Sequence, residues 1–245
     1  MKVLGIDIGG SAVKGAPVNT KTGRLLAERH RIETPKQLTP AGMAKVVAEI
    51  VAHFKWRGPI GVGFPGVIHG ESIMTSANLH PRFCGGNAIK LLTKATGCRV
   101  TLVNDADAAG LAEMRFGAGR GVAGTVLLLT LGTGVGSALF QDGQLFQNTE
   151  LGHLPIRGKS AERFVSSTAR KRRKIDWEEW GTELGSYLHT LETLLWPQLI
   201  IIGGGVSAKH RKYFKFLKPR AKLVPAKFFN EAGIVGAALW AAEQK

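Results

Sequence analysis

Hydrophobic runs that end in glycine recur along the chain and predict strands that lead into tight turns. Residues 3–8 form one apolar run and residues 12–18 form a second, so we predict a β-hairpin at the start of the chain. Residues 126–140 repeat the pattern, with Thr130 in the position that Asp7 has in the first copy. This internal repeat predicts two lobes of similar design.

Helical periodicity follows the first hairpin. Thr39 before Pro40 is typical of a helix N-cap followed by proline at the first helical position. Apolar residues recur at three- and four-residue spacing from Met43 to Phe54, which predicts an amphipathic helix that packs on a sheet. Further strands are predicted at 60–64, 99–103 and 199–202, and further helices at 106–116 and from an N-cap at Asn230 to Trp240.

Length and composition indicate a folded cytoplasmic protein. The 245 residues, 44% of them hydrophobic, are enough to bury a sizeable core. The apolar start breaks at Asp7, too early for a signal peptide, and no run approaches the length of a membrane span. Cys84 and Cys98 suggest neither a disulfide framework nor a structural zinc site.

The net charge of +15 changes this picture, because it favours an anionic partner. Nucleic acid, a membrane surface and polyphosphate all satisfy that condition, and a solvated basic surface without a partner is the alternative. The basic residues gather in the second half of the chain, at Arg170-Lys171-Arg172-Arg173-Lys174 and at Lys209, Arg211, Lys212, Lys215, Lys218, Arg220, Lys222 and Lys227.

The glycine turns have the composition of a phosphate-binding site. Phosphoryl transfer requires donors around the phosphate oxygens, a cation, and an acceptor hydroxyl held near a base. Asp7 is suited to hold hydrated Mg²⁺, and Lys14 adds a point charge. The predicted phosphate-binding residues are Asp7, Gly9, Gly10, Ser11, Lys14, Thr130, Gly132, Thr133, Gly134 and Gly136. A single glycine turn usually marks an ordinary hairpin, but the duplication weakens that interpretation.

Polar pairs near strand ends supply candidates for the acceptor side. Asn104-Asp105 places an amide and a carboxylate where a hydroxyl could be held and deprotonated, although the pair could equally cap a helix. Glu150 and His153 form a second pair, and Glu162 adds a carboxylate beyond it. A single histidine is more often structural than functional.

These motifs together resemble the ROK (repressor, open reading frame, kinase) family over nearly the whole chain. The resemblance rests on Asp7–Ser11 with Lys14–Val18, Gly63–Gly66, Asn104–Asp107, Leu131–Ser137, Glu150–His153 and Ile202–Ser207. It implies the α/β, two-lobed actin and hexokinase-like (ribonuclease H-like) fold with an inter-lobe cleft. The expected lobes are 1–104, joined by the C-terminal helix 231–245, and 105–230.

The same resemblance implies the roles of individual residues. Asp105 is expected to be the general base that takes the proton from the 6-hydroxyl of a sugar. The implied sugar contacts are Asn78, Asn104, Asp105, Glu150, His153 and Glu162, and the implied nucleotide or polyphosphate donor contacts are Gly203, Gly204 and Gly205 with Arg170, Lys171, Arg172, Arg173 and Lys174. Mg²⁺ is the expected cofactor, held by Asp7 through water.

One departure from the family pattern refines the expected activity. The cysteine-rich zinc motif that follows Glu-x-Gly-His in many members is missing after His153, so no zinc is expected. Its absence is typical of the branch that uses inorganic polyphosphate as donor to glucose, giving glucose 6-phosphate, and the basic tracts favour the same donor. Homodimers are common in the family, which leaves a homodimer open.

Two alternatives stay open at this point. The first is an ATP-dependent, or dual ATP and polyphosphate, glucokinase or mannokinase. The second is a nucleic-acid-binding regulator, which is disfavoured because the predicted first strand leaves no room for an N-terminal helix-turn-helix. We therefore expect glucose and polyphosphate as partners, and neither nucleic acid nor membrane.

Overall fold

The structure is a computed structural model that describes residues 1–35, 38–76 and 80–244. The chain forms two compact units: unit 1 is Met1–Ala112 with Glu231–Lys245, and unit 2 is Glu113–Asn230. The division falls inside the helix that follows Asn104.

Helices and strands occupy most of the chain. The first elements are β1 (Lys2–Ile8), β2 (Ala12–Asn19), β3 (Arg24–Leu25), β4 (His30–Glu33), α1 (Pro40–His53), β5 (Ile60–Phe64), β6 (Ile68–His69), β7 (Ser72–Ile73), α2 (Ala88–Thr96), β8 (Val100–Asn104) and α3 (Asp105–Phe116). They are followed by β9 (Thr125–Leu131), β10 (Val135–Gln141), β11 (Gln144–Phe146), β12 (Pro155–Ile156), β13 (Lys159–Ser160), α4 (Glu162–Val165), α5 (Ser167–Arg173), α6 (Trp177–Leu195), β14 (Leu199–Gly203), β15 (Lys222–Pro225) and α7 (Ala232–Glu243). Short 3₁₀ helices lie at Pro81–Phe83, Leu151–His153, Ser207–Lys212, Phe214–Phe216 and Phe229–Glu231.

The sheet of unit 1 has the strand order β3-β2-β1-β5-β8, with β4 also paired to β2. β1 and β2 are antiparallel, whereas β1, β5 and β8 are parallel. The predicted N-cap of α1 is confirmed, since the Thr39 hydroxyl accepts a hydrogen bond from the Gly42 N–H. The predicted apolar stripe of α1, including Met43, Val47 and Ile50, is buried in the core with β1 and β5.

Helix α7 packs on the same sheet at unusually short range. A β-carbon at Gly61 would lie 1.8 Å from the Ala237 carbonyl oxygen, and one at Gly236 would lie 1.6 Å from the Ala108 carbonyl oxygen. Glycine is therefore required for this approach. The predicted N-cap at Asn230 is wrong, because residues 229–231 form a 3₁₀ turn and Glu231 precedes the first residue of α7.

The sheet of unit 2 repeats this design in the order β11-β10-β9-β14-β15. The predicted repeat is confirmed: β9 and β10 form an antiparallel hairpin, and β14 lies parallel to β9 as β5 lies parallel to β1. The overlay holds along the first strand but slips by one residue in the second. Ile8 pairs with Val13, whereas Leu131 pairs with Val135, so the second turn is one residue shorter.

Helix α6 forms the core of unit 2 against this sheet. Leu184, Leu188 and Leu191 are buried in one cluster with residues of β9 and β14. Asp176 begins the helix, because its carboxylate accepts hydrogen bonds from the backbone N–H groups of Glu178 and Glu179. Among the described residues, none of the helices combines the length and hydrophobicity needed to span a bilayer.

Candidate active site

The first glycine turn brings a carboxylate and an ammonium group together. Asp7 and Lys14 face each other on β1 and β2, with Lys14 Nζ 3.8 Å from Asp7 Oδ2. Burial raises the pKa of Asp7 above its ordinary value, and the nearby Lys14 partly offsets the shift. The turn is held by Thr34, whose hydroxyl donates to the Gly9 carbonyl at 2.6 Å, while Gly10 is exposed.

The surroundings of Asp7 fit a magnesium ion bound mainly by phosphates and water. The start of α7 lies against the carboxylate, since a β-carbon at Gly233 would be 2.9 Å from Asp7 Cγ. The Asp7 side chain keeps 19% of its surface exposed. Mg²⁺ commonly binds through one or two carboxylates and the substrate phosphates, keeping several waters. A single accessible carboxylate beside a glycine turn suits that mode of binding.

The second glycine turn is tied to the helices that follow it. Thr168 at the start of α5 donates its N–H to the Gly132 carbonyl at 3.2 Å. Glu162 at the start of α4 accepts from the Val135 N–H at 3.4 Å, and a β-carbon at Gly134 would lie 2.4 Å from the same carboxylate oxygen. The turn therefore carries a carboxylate that its own sequence lacks.

The third glycine turn lies beside the second. Gly203 pairs with Thr130 across the parallel strands β14 and β9, so both turns leave the same edge of the sheet. Gly204 has φ +76°, and a β-carbon there would be 2.9 Å from the Leu131 nitrogen. Ser207 closes the turn by donating its hydroxyl to the Gly204 carbonyl at 2.7 Å. The predicted phosphate and donor turns of unit 2 are thus brought together.

Asn104 and Asp105 stand at the junction of β8 and α3. The Asn104 carboxamide is buried; its oxygen accepts from the N–H groups of Ala106 and Asp107, and its nitrogen donates to the Gly66 carbonyl at 3.1 Å. Asn104 thus caps α3, the alternative that the sequence left open, and one of its two amide N–H donors serves this contact. Asp105 begins α3 and is partly exposed, as a proton acceptor requires.

Glu150, His153 and Glu162 lie close together in unit 2. His153 Nε2 is 3.5 Å from Glu150 Oε2. Burial raises the pKa of Glu150, the nearby His153 lowers it, and the charge of Glu162 raises it further. Two carboxylates and an imidazole that converge in this way can bind sugar hydroxyls as acceptors and donors.

A buried serine positions this cluster. The Ser137 hydroxyl donates to the Thr149 carbonyl at 2.6 Å and accepts from the Leu151 N–H at 3.0 Å. Gly152 is needed for the approach of this segment to β10, because a β-carbon there would lie 2.1 Å from the Val135 carbonyl oxygen. The spacing of the glutamate, glycine and histidine thus has a steric basis as well as a chemical one.

The basic tract on α5 divides into two faces. Arg170 stacks on the Trp177 ring, with Cζ 3.9 Å from its centroid, and Arg173 forms a double hydrogen bond with Glu183. Lys171, Arg172 and Lys174 are exposed. The two buried-side arginines therefore hold α5 to α6, while the other three cations point to solvent.

Two positioning residues lacked a sequence signal, and one predicted residue lies elsewhere. Thr34 and Thr168 contact glycine turns 25 and 36 residues away in sequence, at separations that no local spacing reveals. Asn78, an implied sugar contact, lies outside the described residues.

The structure thus defines an α/β protein built on a duplicated hairpin with glycine turns and strand-end carboxylates. The chain belongs to the ROK family, whose model matches residues 3–168. It is 44% identical to the polyphosphate glucokinase of Mycobacterium tuberculosis (strain CDC 1551 / Oshkosh) over 237 residues, which cover 96% of this chain and 89% of that protein.

Solved structures agree with this assignment. The inorganic polyphosphate/ATP-glucomannokinase of Arthrobacter sp. strain KM matches with a TM-score of 0.96 and 46% identity, over 100% of this chain and 99% of that one. A ROK family glucokinase from Streptomyces griseus, in complex with glucose and AMPPNP, matches with a TM-score of 0.87 and 24% identity, over 99% and 100%. The predicted actin and hexokinase-like fold class is confirmed.

Proposed function

We propose that this chain is a polyphosphate glucokinase. The observation that carries the proposal is the 44% identity to the Mycobacterium enzyme over 96% of the chain. The duplicated glycine turns, the Asp7–Lys14 pair and the Glu150–His153–Glu162 cluster supply the groups that phosphoryl transfer to a sugar requires.

The reaction moves the terminal phosphoryl group of polyphosphate to glucose. The 6-hydroxyl oxygen of glucose forms a bond to the terminal phosphorus as the bond to the bridging oxygen breaks. The products are glucose 6-phosphate and a polyphosphate shorter by one unit. The hydroxyl proton passes to Asp105, the proposed general base.

The remaining roles are those implied by the family resemblance. We propose that the hydroxyls of glucose are bound by Asn78, Asn104, Glu150, His153 and Glu162. The transferred phosphate and its neighbour would contact the glycine turns and Lys14, with Gly203–Gly205 and the α5 tract on the donor side. The exposure of Gly10 and Ser11 supports this assignment, since glycine turns let phosphates approach the backbone.

Asp7 would hold Mg²⁺ through water. When bound, Mg²⁺ neutralises charge on the phosphate oxygens. Asp7 itself is kept near Lys14, so that the turn presents both a carboxylate and an ammonium group. The cytoplasmic location and the homodimer stay predictions.

A second donor is supported by one specific observation. The Arthrobacter protein that is 46% identical over the whole chain is an inorganic polyphosphate/ATP-glucomannokinase. We therefore propose that ATP serves as an additional donor and mannose as an additional acceptor. An enzyme restricted to ATP is not favoured.

The test is formation of glucose 6-phosphate by purified protein with Mg²⁺. Long-chain polyphosphate and ATP are compared at matched phosphoryl concentration, with nucleotide-free polyphosphate as the donor in the decisive arm. Turnover with polyphosphate alone supports the proposal. Turnover with ATP only would overturn the donor assignment while leaving a sugar kinase.

A further inference from the structure

Two basic segments of unit 2 begin at its two glycine turns. α5 starts where Thr168 is hydrogen-bonded to Gly132, and the 3₁₀ helix Ser207–Lys212 starts where Ser207 closes the Gly203–Gly205 turn. We call Lys171, Arg172 and Lys174 the α5 cations, and Lys209, Arg211 and Lys212 the 3₁₀ cations. All six residues are exposed.

The segments meet at the ring of Trp177, although they are far apart in sequence. Arg170 Cζ lies 3.9 Å from the ring centroid, and Lys212 Nζ lies 5.9 Å from it. The Tyr213 ring stacks on Trp177 at 5.8 Å with an interplanar angle of 16°. α5 and the 3₁₀ helix are therefore packed side by side through one aromatic residue.

The outward direction of the α5 cations follows from helical geometry. Thr168, Lys171 and Arg172 are spaced by three and four residues and share a face of α5. Arg170 and Arg173 lie on the opposite side, where they contact Trp177 and Glu183. The face that carries Thr168 next to the second glycine turn is thus also the face that carries exposed positive charge.

Nearby acidic side chains serve other contacts. Asp176 caps α6, and Glu183 pairs with Arg173 and with Arg157. Like charges gathered on one surface repel each other, and a polyanion relieves that repulsion.

We propose that the α5 cations and the 3₁₀ cations form one surface that binds the phosphates of a long polyphosphate chain beyond the group being transferred. This inference rests on the proposed function and deepens it, because it makes unit 2 selective for donor length. A short donor occupies the glycine turns, and a long donor also reaches the six cations.

The aromatic residues at this surface favour polyphosphate over single-stranded nucleic acid. Proteins that bind single strands stack bases on accessible aromatic rings. Here Trp177 is stacked with Arg170 and Tyr213, and Tyr213 is fully buried. The surface therefore offers cations without a platform for bases, which suits a chain of phosphates alone.

The test compares three charge-matched triple variants by equilibrium binding of polyphosphate and by kinetics. The α5 variant is Lys171→Gln/Arg172→Gln/Lys174→Gln, and the 3₁₀ variant is Lys209→Gln/Arg211→Gln/Lys212→Gln. The control variant, Lys45→Gln/Lys90→Gln/Lys94→Gln, removes three exposed charges from α1 and α2 of unit 1.

We expect the α5 and 3₁₀ variants each to weaken binding of long-chain polyphosphate about tenfold or more, and binding of tripolyphosphate about twofold or less. The slope of log affinity against log salt concentration should fall by about 2 for each variant, since about 0.7 is lost per phosphate contact. The control variant should bind all donors like the unmodified protein. Thermal unfolding of each variant separates lost binding from lost folding.

Three outcomes would overturn the inference. Losses no larger than the control would remove these cations from donor binding, and equal losses for long and short donors would assign them to the transferred group. Single-stranded DNA bound as tightly as polyphosphate, with the same sensitivity to both variants, would make the surface a general polyanion site. Binding is measured without glucose, so a protein that binds polyphosphate but does not phosphorylate glucose would contradict the proposed function and leave this inference standing.

Discussion

The two hairpins share one backbone design but differ in charge at the same register. In unit 1 the pair before the turn is Asp7 and Lys14, whereas in unit 2 the corresponding residues are Thr130 and Gly136. The turn of unit 2 receives its carboxylate from Glu162, which belongs to a helix that follows later in the chain. A duplicated fold has thus kept its geometry while its two copies acquired different electrostatics.

This difference indicates separate roles for the two copies. A carboxylate beside an ammonium group at the first turn suits a hydrated cation and a phosphate. The second turn has neutral side chains, and its basic residues lie on the surface beyond it. We infer that unit 1 supplies the chemistry at the transferred phosphate and unit 2 supplies recognition of sugar and donor.

The largest expected effect separates the carboxylates of the two units. Asp105→Asn should lower kcat by roughly 10²–10⁴-fold while glucose still binds, because an amide cannot accept the hydroxyl proton. Glu162→Gln, the matched change in unit 2, should raise the KM for glucose more than it lowers kcat. Steady-state kinetics and glucose titration measure both.

Folding controls accompany this pair. An asparagine side chain is compatible with the first position of α3, so the thermal unfolding of Asp105→Asn should stay close to that of the unmodified protein. If Glu162→Gln lost as much kcat as Asp105→Asn, the division between the units would be wrong.

The second effect contrasts glycines in turns of the two units. Gly204→Ala should lower the free energy of unfolding by about 2–3 kcal/mol, because φ is +76° and the new β-carbon would meet the Leu131 backbone at 2.8–3.0 Å. Gly10→Ala should change it by less than about 0.5 kcal/mol, since nothing lies within 4 Å of its β-carbon position. Urea unfolding of both variants measures the contrast, and similar losses would contradict it.

The third effect contrasts the two faces of α5. Arg173→Gln should lower the free energy of unfolding by about 1–2 kcal/mol, because it removes the bidentate partner of the mostly buried Glu183. Arg172→Gln should change stability by less than about 0.5 kcal/mol and raise the KM for long polyphosphate instead. The opposite assignment of the two effects would show that the faces have been exchanged.

Sequence reasoning recovered what local periodicity records. The hairpins, the start of α1 at Thr39 and the strand before Asn104 follow from apolar spacing and turn residues, and the duplication follows from similarity between two segments. The basic tract was visible as composition. Its division into contacts of Arg170 and Arg173 and an exposed remainder was not, because those contacts depend on α6.

The residues that hold the turns were beyond reach of the sequence for a similar reason. Thr34 and Thr168 are ordinary threonines whose hydrogen bonds arise from tertiary packing. The one-residue slip between the hairpins was also hidden, because both copies have glycines at similar spacing and only strand pairing fixes which residue faces which. Local patterns specify elements, whereas site geometry depends on how those elements pack.

The smallest expected effect is the pH dependence of stability at Glu150. Burial raises the pKa of this carboxyl in the folded protein, so its charged form costs stability once the pH rises above the ordinary value of 4.5 and through the raised value. Glu150→Gln should therefore unfold at a higher temperature than the unmodified protein at neutral pH, and the difference should vanish below pH 4.5. Exposed Glu28→Gln is the control and should give a small difference at every pH. A gain at Glu150 together with weaker glucose binding would identify a carboxylate kept for recognition at the expense of stability, whereas a loss at neutral pH would assign it to the structure of unit 2.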